Sequence, residues 1–307
     1  MPDVIVLVPT FRRPRSLERL LLALESLQTK AAVRVLVADN DAERHEGFDL
    51  CLRLIERGYT WPLETFVAHD RGIAQVRNAL VERALKKPFD FIAMLDDDEW
   101  PQDDWLDSFL AAQLQTGADA LQGRVTKVFD REPSVWAQSE GRGQTNRLNI
   151  AIPLIEGTGN TLIARRCVES LQRPYFDPEF ALTGGEDRDF FVRLQRDGRK
   201  FARAGEAVAF EHVPASRATL KWTLSRAYRI GNSDMRVFLK YKPRFTALVR
   251  ESIKLAGAFV LCPILLVAAS PIPGYGAAAL CKLSRAAGKL AAMFGRYYNE
   301  YSVTHGT

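Results

Sequence analysis

Four acidic residues in a row, Asp96-Asp97-Asp98-Glu99, follow directly on the apolar run Phe91-Ile92-Ala93-Met94-Leu95. The pattern reads as a buried strand that ends in a cluster of carboxylates. Adjacent carboxylates repel one another, so gathering them where a strand leaves the core costs free energy unless a cation, a proton or water compensates. Hard oxygen ligands of this kind suit Mg²⁺ or Mn²⁺, ions that keep coordination positions for substrate phosphates. The alternative is an acidic, solvated loop before a helix that starts near Trp100-Pro101-Gln102-Asp103-Asp104. A second acidic group, Glu186, Asp187 and Asp189, opens a helical pattern whose apolar positions include Phe190, Phe191 and Leu194. A helix N-terminus lowers the pKa of a carboxylate and neighbouring acids raise it, so a base can be tuned there. The competing reading is a Thr183-x-x-Glu186 capping box with ordinary first-turn acids. His212 follows the apolar stretch 207–210 and could touch a metal or diphosphate, or serve the structure alone. Gly157-Thr158-Gly159-Asn160 could wall the acceptor side of a site or simply form a turn.

The elements that must position these groups form an alternating series. Residues 4–8 and 33–38 are continuous apolar runs, the pattern of parallel strands covered on both faces. Leu17, Leu20, Leu21, Leu24 and Leu27 recur at helical spacing after Pro14, and Leu50 and Leu54 do so after Phe48. A strand over 63–68, a helix over 73–85 and the strand ending at Leu95 complete an open, mostly parallel, doubly wound α/β sheet. In such sheets ligands bind beyond the carboxyl ends of the strands. Pro9-Thr10-Phe11, Asp39-Asn40-Asp41, His69-Asp70-Arg71-Gly72 and the acidic run all fall at those ends, so four polar segments converge on one rim. No glycine fingerprint of the dinucleotide or P-loop type follows the first strand. Beyond Asp119 the pattern is less regular, with strand character over 121–129 and a polar stretch, 138–149, that reads as a loop over the site.

Composition bounds the partners. The chain has 307 residues, enough for one large α/β domain with an appendage, and a hydrophobic content of 47% excludes disorder. The net charge of +5 conceals an asymmetry: from Glu211 onward there are 14 Lys and Arg against 4 Asp and Glu, which leaves 28 basic and 33 acidic residues in 1–210. The basic tail calls for an anionic neighbour. Cys51, Cys167, Cys262 and Cys281 lack the close spacing of a zinc or redox motif, which fits a reducing compartment, and the N-terminus has no secretory pattern.

Taken together, Pro-Thr-Phe-Arg-Arg-Pro after the first strand, an aspartate closing the second, Arg71-Gly72-x4-Arg77-Asn78, the Asp-Asp-Asp run and Gly184-Gly185-Glu186-Asp187 resemble the family 2 glycosyltransferases of the GT-A fold. The resemblance spans roughly residues 3–235, and its nearest flavour is the bacterial exopolysaccharide enzymes such as the succinoglycan-type sugar transferases. It implies inverting transfer of a sugar from a nucleotide-diphosphate carrier, usually UDP, to an acceptor hydroxyl. Pro9, Thr10 and Arg13 would lie at the nucleotide, Asp39 at the uracil ring, and Arg71, Arg77 and Asn78 near uracil or diphosphate. Asp96 and Asp97 would sit near ribose and metal, Asp98 would ligate Mn²⁺ or Mg²⁺ together with His212, and Asp187 would be the catalytic base. The second-strand segment reads Ala-Asp-Asn-Asp where many members have two adjacent aspartates and a glycine-serine, which leaves the role of Asp41 open.

Between Lys254 and Lys282 lie 27 uncharged residues, interrupted by Pro263, Pro271, Pro273, Gly274 and Gly276 and flanked by cations on both sides. The pattern predicts a re-entrant or interfacial hairpin on the cytoplasmic face of the inner membrane; a buried helix pair is the alternative. Arg226 and Arg229, with Trp222 and Tyr228, would face lipid headgroups or, with Glu186, the acceptor. Two units are expected, a catalytic domain over 1–235 and a membrane-associating region over 236–307. The donor would be a nucleotide-diphospho-sugar and the acceptor a glycan or polyprenyl-linked glycan. No groove-reading motif favours nucleic acid. The competing functions are a nucleotidyltransferase on a similar sheet and a non-catalytic nucleotide-binding scaffold at the membrane.

Overall fold

In the computed structural model of the chain, residues 1–130, 148–181, 183–268 and 273–298 are described. The described strands form one nine-stranded sheet. Its path is β3 (Leu63–Val67), β2 (Ala32–Asp39), β1 (Asp3–Thr10), β4 (Phe91–Met94), β8 (Thr161–Ala164), β6 (Ala120–Phe129), β9 (Phe201–Val213) and β5 (Glu99–Pro101), with β7 (Ile150–Ile152) pairing β9 off that path. Strands β1, β2, β3, β4, β6 and β9 run one way, and β5, β7 and β8 run against them. The mostly parallel doubly wound α/β sheet read from the apolar runs is therefore present.

Strand β1 explains why those runs are continuous. Val4, Val6 and Val8 pack with α1 (Pro14–Glu25), α2 (Glu46–Arg57) and α4 (Trp105–Thr116) on one face, through Leu17, Leu20, Leu50 and Phe109. Ile5 and Leu7 pack on the other face with α3 (Ile73–Ala84), α5 (Arg165–Ser170) and α6 (Glu186–Arg196), through Leu80, Val168 and Phe190. A strand covered on both faces has no solvent side on which a polar residue would be favoured.

Two of the alternative local readings meet the structure differently. The helix start read over Trp100–Asp104 is present at its end, with Asp104 as N-cap of α4, while Glu99–Pro101 ahead of it forms β5, antiparallel to β9. Pairing with Ala209–Glu211 satisfies that backbone, and Pro101 is tolerated because β5 is the edge strand. Thr183 does not cap α6: Gly185 is the N-cap, and the Thr183 hydroxyl accepts from Arg236 at 2.6 Å.

The C-terminal part is helical: α7 (Leu220–Lys240), α8 (Phe245–Ala268) and α9 (Pro273–Met293). Pro263 lies inside α8, which runs through it rather than stopping; proline removes one helical hydrogen bond without necessarily ending the helix. The expected boundary at 235/236 falls within α7, and contacts cross it. Asp189 of α6 accepts from Lys240 and from the Tyr241 hydroxyl, each at 2.7 Å, while Arg285 of α9 reaches Asp234 of α7 at 2.6 Å. No helix among the described residues is long and apolar enough to cross a membrane. The stretch 138–149 expected to cover the site lies, through residue 147, outside the described residues.

Candidate active site

The carboxyl ends of β1, β2 and β4 meet as the parallel register requires, with Thr10 opposite Asp39 and Leu7 opposite Met94. The acidic run therefore emerges beside Pro9-Thr10-Phe11. Asp97 is 6% exposed, and its Oδ2 accepts from the Thr10 hydroxyl at 2.9 Å and from the Phe11 backbone N–H at 3.4 Å. Arg13 donates to Asp97 Oδ1 at 3.1 Å and to Asp98 Oδ2 at 3.0 Å. Burial pushes the Asp97 carboxyl up to about 6 against the pull of Arg13. Burial, and then the charges of Asp96 and Asp98, likewise raise Glu99. Burial also raises Glu211, which lies opposite Glu99 in the β5–β9 pairing.

Asp98 is partly open, its side chain 20% exposed against 40% for Asp96. Its Oδ2 lies 3.5 Å from an Arg217 nitrogen as well as accepting from Arg13, and its backbone carbonyl accepts from the His212 N–H at 3.3 Å. Only the backbones of Asp98 and His212 meet directly, and Arg217, beside Asp98, was not singled out in the sequence. That residue sits in a short 3₁₀ turn, Ala215–Arg217, where no periodicity announces it. The His212 ring is engaged by Asp130 at 2.6 Å.

The base-side carboxylates arrive by a different route. Gly184 and Gly185 both have left-handed backbone (φ +72° and +104°), a turn that side chains disfavour, and it brings Glu186 and Asp187 to the head of α6. Glu186, 3% exposed, accepts from Arg77 at 2.5 Å through Oε1, while Oε2 is buried without a hydrogen-bond partner. The second arm of the Arg77 guanidinium donates to Asp96 at 3.1 Å. Burial and the adjacent Asp187 push Glu186 up to about 7. Burial also raises Asp187, whose Oδ1 accepts from the Arg188 backbone N–H at 2.7 Å.

The segment Gly157-Thr158-Gly159-Asn160 joins the two groups. A Cβ on Gly157 would lie 3.3 Å from Asp187 Oδ2, and one on Gly159 would lie 2.9 Å from Glu99 and 3.3 Å from Asp96. Asn160, fully buried and in the left-handed region (φ +51°), pins this segment. It accepts from the Trp105 indole at 2.7 Å and donates to the carbonyls of Arg124 and Ala207 at 2.9 and 3.1 Å. The segment therefore lies against Asp187 at Gly157 and against Asp96 and Glu99 at Gly159.

The remaining expected residues have the following partners within the chain. Asp39 is 1% exposed and its carboxylate accepts the backbone N–H groups of Asp41, Gly47 and Phe48, so it holds the turn into α2. Asn78 bonds the Phe176 backbone in both directions, at 2.7 and 2.9 Å, and so fixes the segment before α6. Pro9 lies within β1. Arg71 and Arg12 lie over the Phe11 ring at 5.1 and 5.0 Å, at the rim. Asn40, not singled out in the sequence, ties the ends of β2 and β3 together through Ala68, Asp70 and Gly72. Arg229 faces the base-side pocket with Glu186, Asp187 and Ser233, and Arg226 lies over the Trp222 ring at 5.2 Å.

The fit of a divalent cation follows from the donor set. Six carboxylates, Asp96, Asp97, Asp98, Glu99, Glu186 and Asp187, share the cleft with three cations seated on them, Arg13, Arg77 and Arg217. Carboxylate oxygens are hard ligands that suit a hard cation, and Asp98, the one expected to hold it, is paired here with Arg13 and Arg217. Among the described residues no cluster of three or more His, Cys, Asp or Glu side chains is arranged to hold a metal, so Asp98 and His212 would need substrate oxygens to complete the coordination.

An open, mostly parallel α/β sheet with carboxylates gathered at the carboxyl ends of its strands is the architecture of the GT-A glycosyltransferases. Residues 5–173 match the family described as Glycosyl transferase family 2. The succinoglycan biosynthesis protein ExoM of Rhizobium meliloti (strain 1021) is 32% identical over 235 residues, which cover 75% of this chain and 73% of that protein. The chain belongs to glycosyltransferase family 2 and is a glycosyltransferase. Among solved structures, S. aureus TarS 1–349 in complex with UDP aligns over 97% of this chain and 93% of its own, with 14% identity and a TM-score of 0.52. GalNAc-T7 with UDP, GalNAc and Mn²⁺ aligns over 76% of this chain and 51% of its own, at 14% identity and a TM-score of 0.54. At those identities the likeness concerns the fold.

Proposed function

We propose that this enzyme moves a sugar, with inversion, from a UDP-sugar to a hydroxyl of a glycan or polyprenyl-linked acceptor in cell-surface polysaccharide synthesis. The observation that carries the reading is the pair of carboxylate groups, one at the end of β4 and one at the head of α6, bridged by Arg77 and facing the same glycine-containing segment. The UDP in the TarS and GalNAc-T7 complexes and the succinoglycan relative support the donor and the pathway class.

Asp187 takes the proton of the acceptor hydroxyl as its oxygen bonds to the anomeric carbon, and the bond from that carbon to the diphosphate breaks on the opposite side. Charge develops on the leaving diphosphate, and Arg13 and Arg217, which pair with Asp98 here, are the cations available to it. Mn²⁺ or Mg²⁺ held by Asp98 and His212 would supply further stabilisation of that charge. Thr10, Arg71, Asp96 and Asp97 form the nucleotide end, and Arg226, Arg229 and Glu186 the acceptor end.

The enzyme works at the cytoplasmic face of the inner membrane. Along α8, Val260, Leu261, Ile264 and Val267 are 62%, 59%, 58% and 79% exposed, and Arg244, Arg250 and Lys254 precede them. An apolar face beside cations suits an anionic lipid interface.

The decisive assay measures UDP release from a panel of UDP-sugars with and without Mn²⁺, together with UDP binding by calorimetry. Asp98→Ala abolishes the metal-dependent part of UDP binding, and Asp187→Asn binds UDP but does not turn over. Unaltered turnover in Asp187→Asn would remove the base assignment.

A further inference from the structure

Arg77 is 5% exposed on α3, and its guanidinium joins two carboxylates from different ends of the cleft, Asp96 of the donor-side run and Glu186 beside the base. Its location is fixed on both sides. The next residue, Asn78, is locked onto the Phe176 backbone, and the Phe176 ring lies 5.9 Å from the Arg77 guanidinium carbon. Glu186 in turn has one carboxylate oxygen on Arg77 and the other buried without a hydrogen bond. A carboxylate in that setting is held by its cation, because removal of the partner leaves an uncompensated buried charge.

We propose that Arg77 is a positioning residue: by tying Asp96 to Glu186 it fixes the orientation and ionisation of the neighbouring base, and it is not a ligand of the nucleotide. The inference rests on the reading of Asp187 as base. The charged groups around Asp187 are Glu186 and Arg188 on α6, Arg77 on α3, Asp96 from the turn after β4, Arg229 and Asp234 on α7, and Glu156 before β8. Arg188 is committed to Asp234 at 2.9 Å, and Asp234 also pairs with Arg285. Burial raises Asp187, and Arg77 is the foremost group opposing that rise. Asp96 acts against Arg77, so the bridge also quenches a donor-side charge that disfavours an ionised base.

The test uses the full chain, with UDP release from whichever UDP-hexose the wild type turns over, and compares Arg77→Met, Arg77→Lys and Glu186→Gln. In Arg77→Met the acid limb of the kcat/KM profile moves up by about one pH unit and kcat at pH 7 falls at least about tenfold, with the UDP Kd within about twofold of wild type. Arg77→Lys restores part of the limb. Glu186→Gln keeps an acceptor for Arg77 but removes a negative neighbour, so its acid limb moves to lower pH. An acid limb that stays in place in Arg77→Met, or a UDP Kd weakened about tenfold, overturns the proposal. Should Arg77→Met fail to fold, Arg77→Gln is read in its place, and an acid limb that stays where the wild type has it overturns the proposal. Failure of the base assignment looks different, because it appears as wild-type turnover in Asp187→Asn whatever the Arg77 variants do.

Discussion

At the rim of the sheet Arg77, Asp97, Glu99 and Glu186 are 3–6% exposed, whereas along α8 Val260, Leu261, Ile264 and Val267 are 58–79% exposed. The two regions depart from the usual sorting of side chains in opposite senses. Buried charge costs free energy unless it is paired and hydrogen-bonded, and a contiguous exposed apolar face marks an interaction surface. The rim meets its problem within the chain, through Arg13, Arg77 and Arg217. Over the C-terminal half of α8 the described residues leave Phe259, Val260, Leu261, Ile264, Leu265 and Val267 exposed, while Leu255 and Cys262 are buried. On the function proposed above, the region that would hold substrate charge is built from compensated polar groups, and the region that would meet lipid from uncompensated apolar ones.

The comparison can be broken at either end. The largest effect is expected at the rim, where Asp187→Asn lowers turnover by about 10³-fold or more while UDP binding persists, a loss in the range of general-base removal; calorimetry with UDP beside the turnover assay checks both halves. Next comes the support of the rim. Asn160→Ala strips partners from the Trp105 indole and from two buried carbonyls, and is expected to destabilise the fold by about 3 kcal/mol, read as a fall in the denaturant midpoint with an unchanged slope. At the opposite end, Leu261→Glu combined with Ile264→Glu lowers affinity for anionic phospholipid vesicles by at least about tenfold, since each buried apolar side chain is worth about 1.5–3 kcal/mol. Co-sedimentation equal to wild type would show that α8 is covered by something other than lipid. The smallest effect belongs to Arg217→Ala, where loss of one charge-assisted contact to the diphosphate raises the donor KM by about tenfold. A KM that does not move would return Arg217 to a purely internal role beside Asp98.

The legible part of this protein was the part written in short-range patterns. Continuous apolar runs marked β1, β2 and β4 because strands covered on both faces leave no alternation, and the carboxyl ends of those strands fixed where the polar segments had to meet. Asp96–Glu99 and Glu186-Asp187 stood out by composition alone. The less legible segments are those where distant partners decide. Glu99–Pro101 became a strand only because β9 offers it a ladder, and Thr183 lost its capping role because Arg236, 53 residues away, takes its hydroxyl. Asp39 and Asn78 match a nucleotide site by motif, yet their polar atoms are engaged by backbone.

What the sequence determined by itself was the inventory: an α/β sheet with carboxylates at one rim, a helix that begins with acids, and a basic, apolar C-terminal region. Tertiary structure decided the pairings. Arg77 faces Glu186 across 109 residues, Arg217 reaches Asp98, and Asn160 pins Gly157 and Gly159 against the two carboxylate groups. The physical reason is range. Periodicity and propensity act over a few residues, while the ionisation and placement of a buried charge depend on whichever opposite charge the fold brings within about 4 Å.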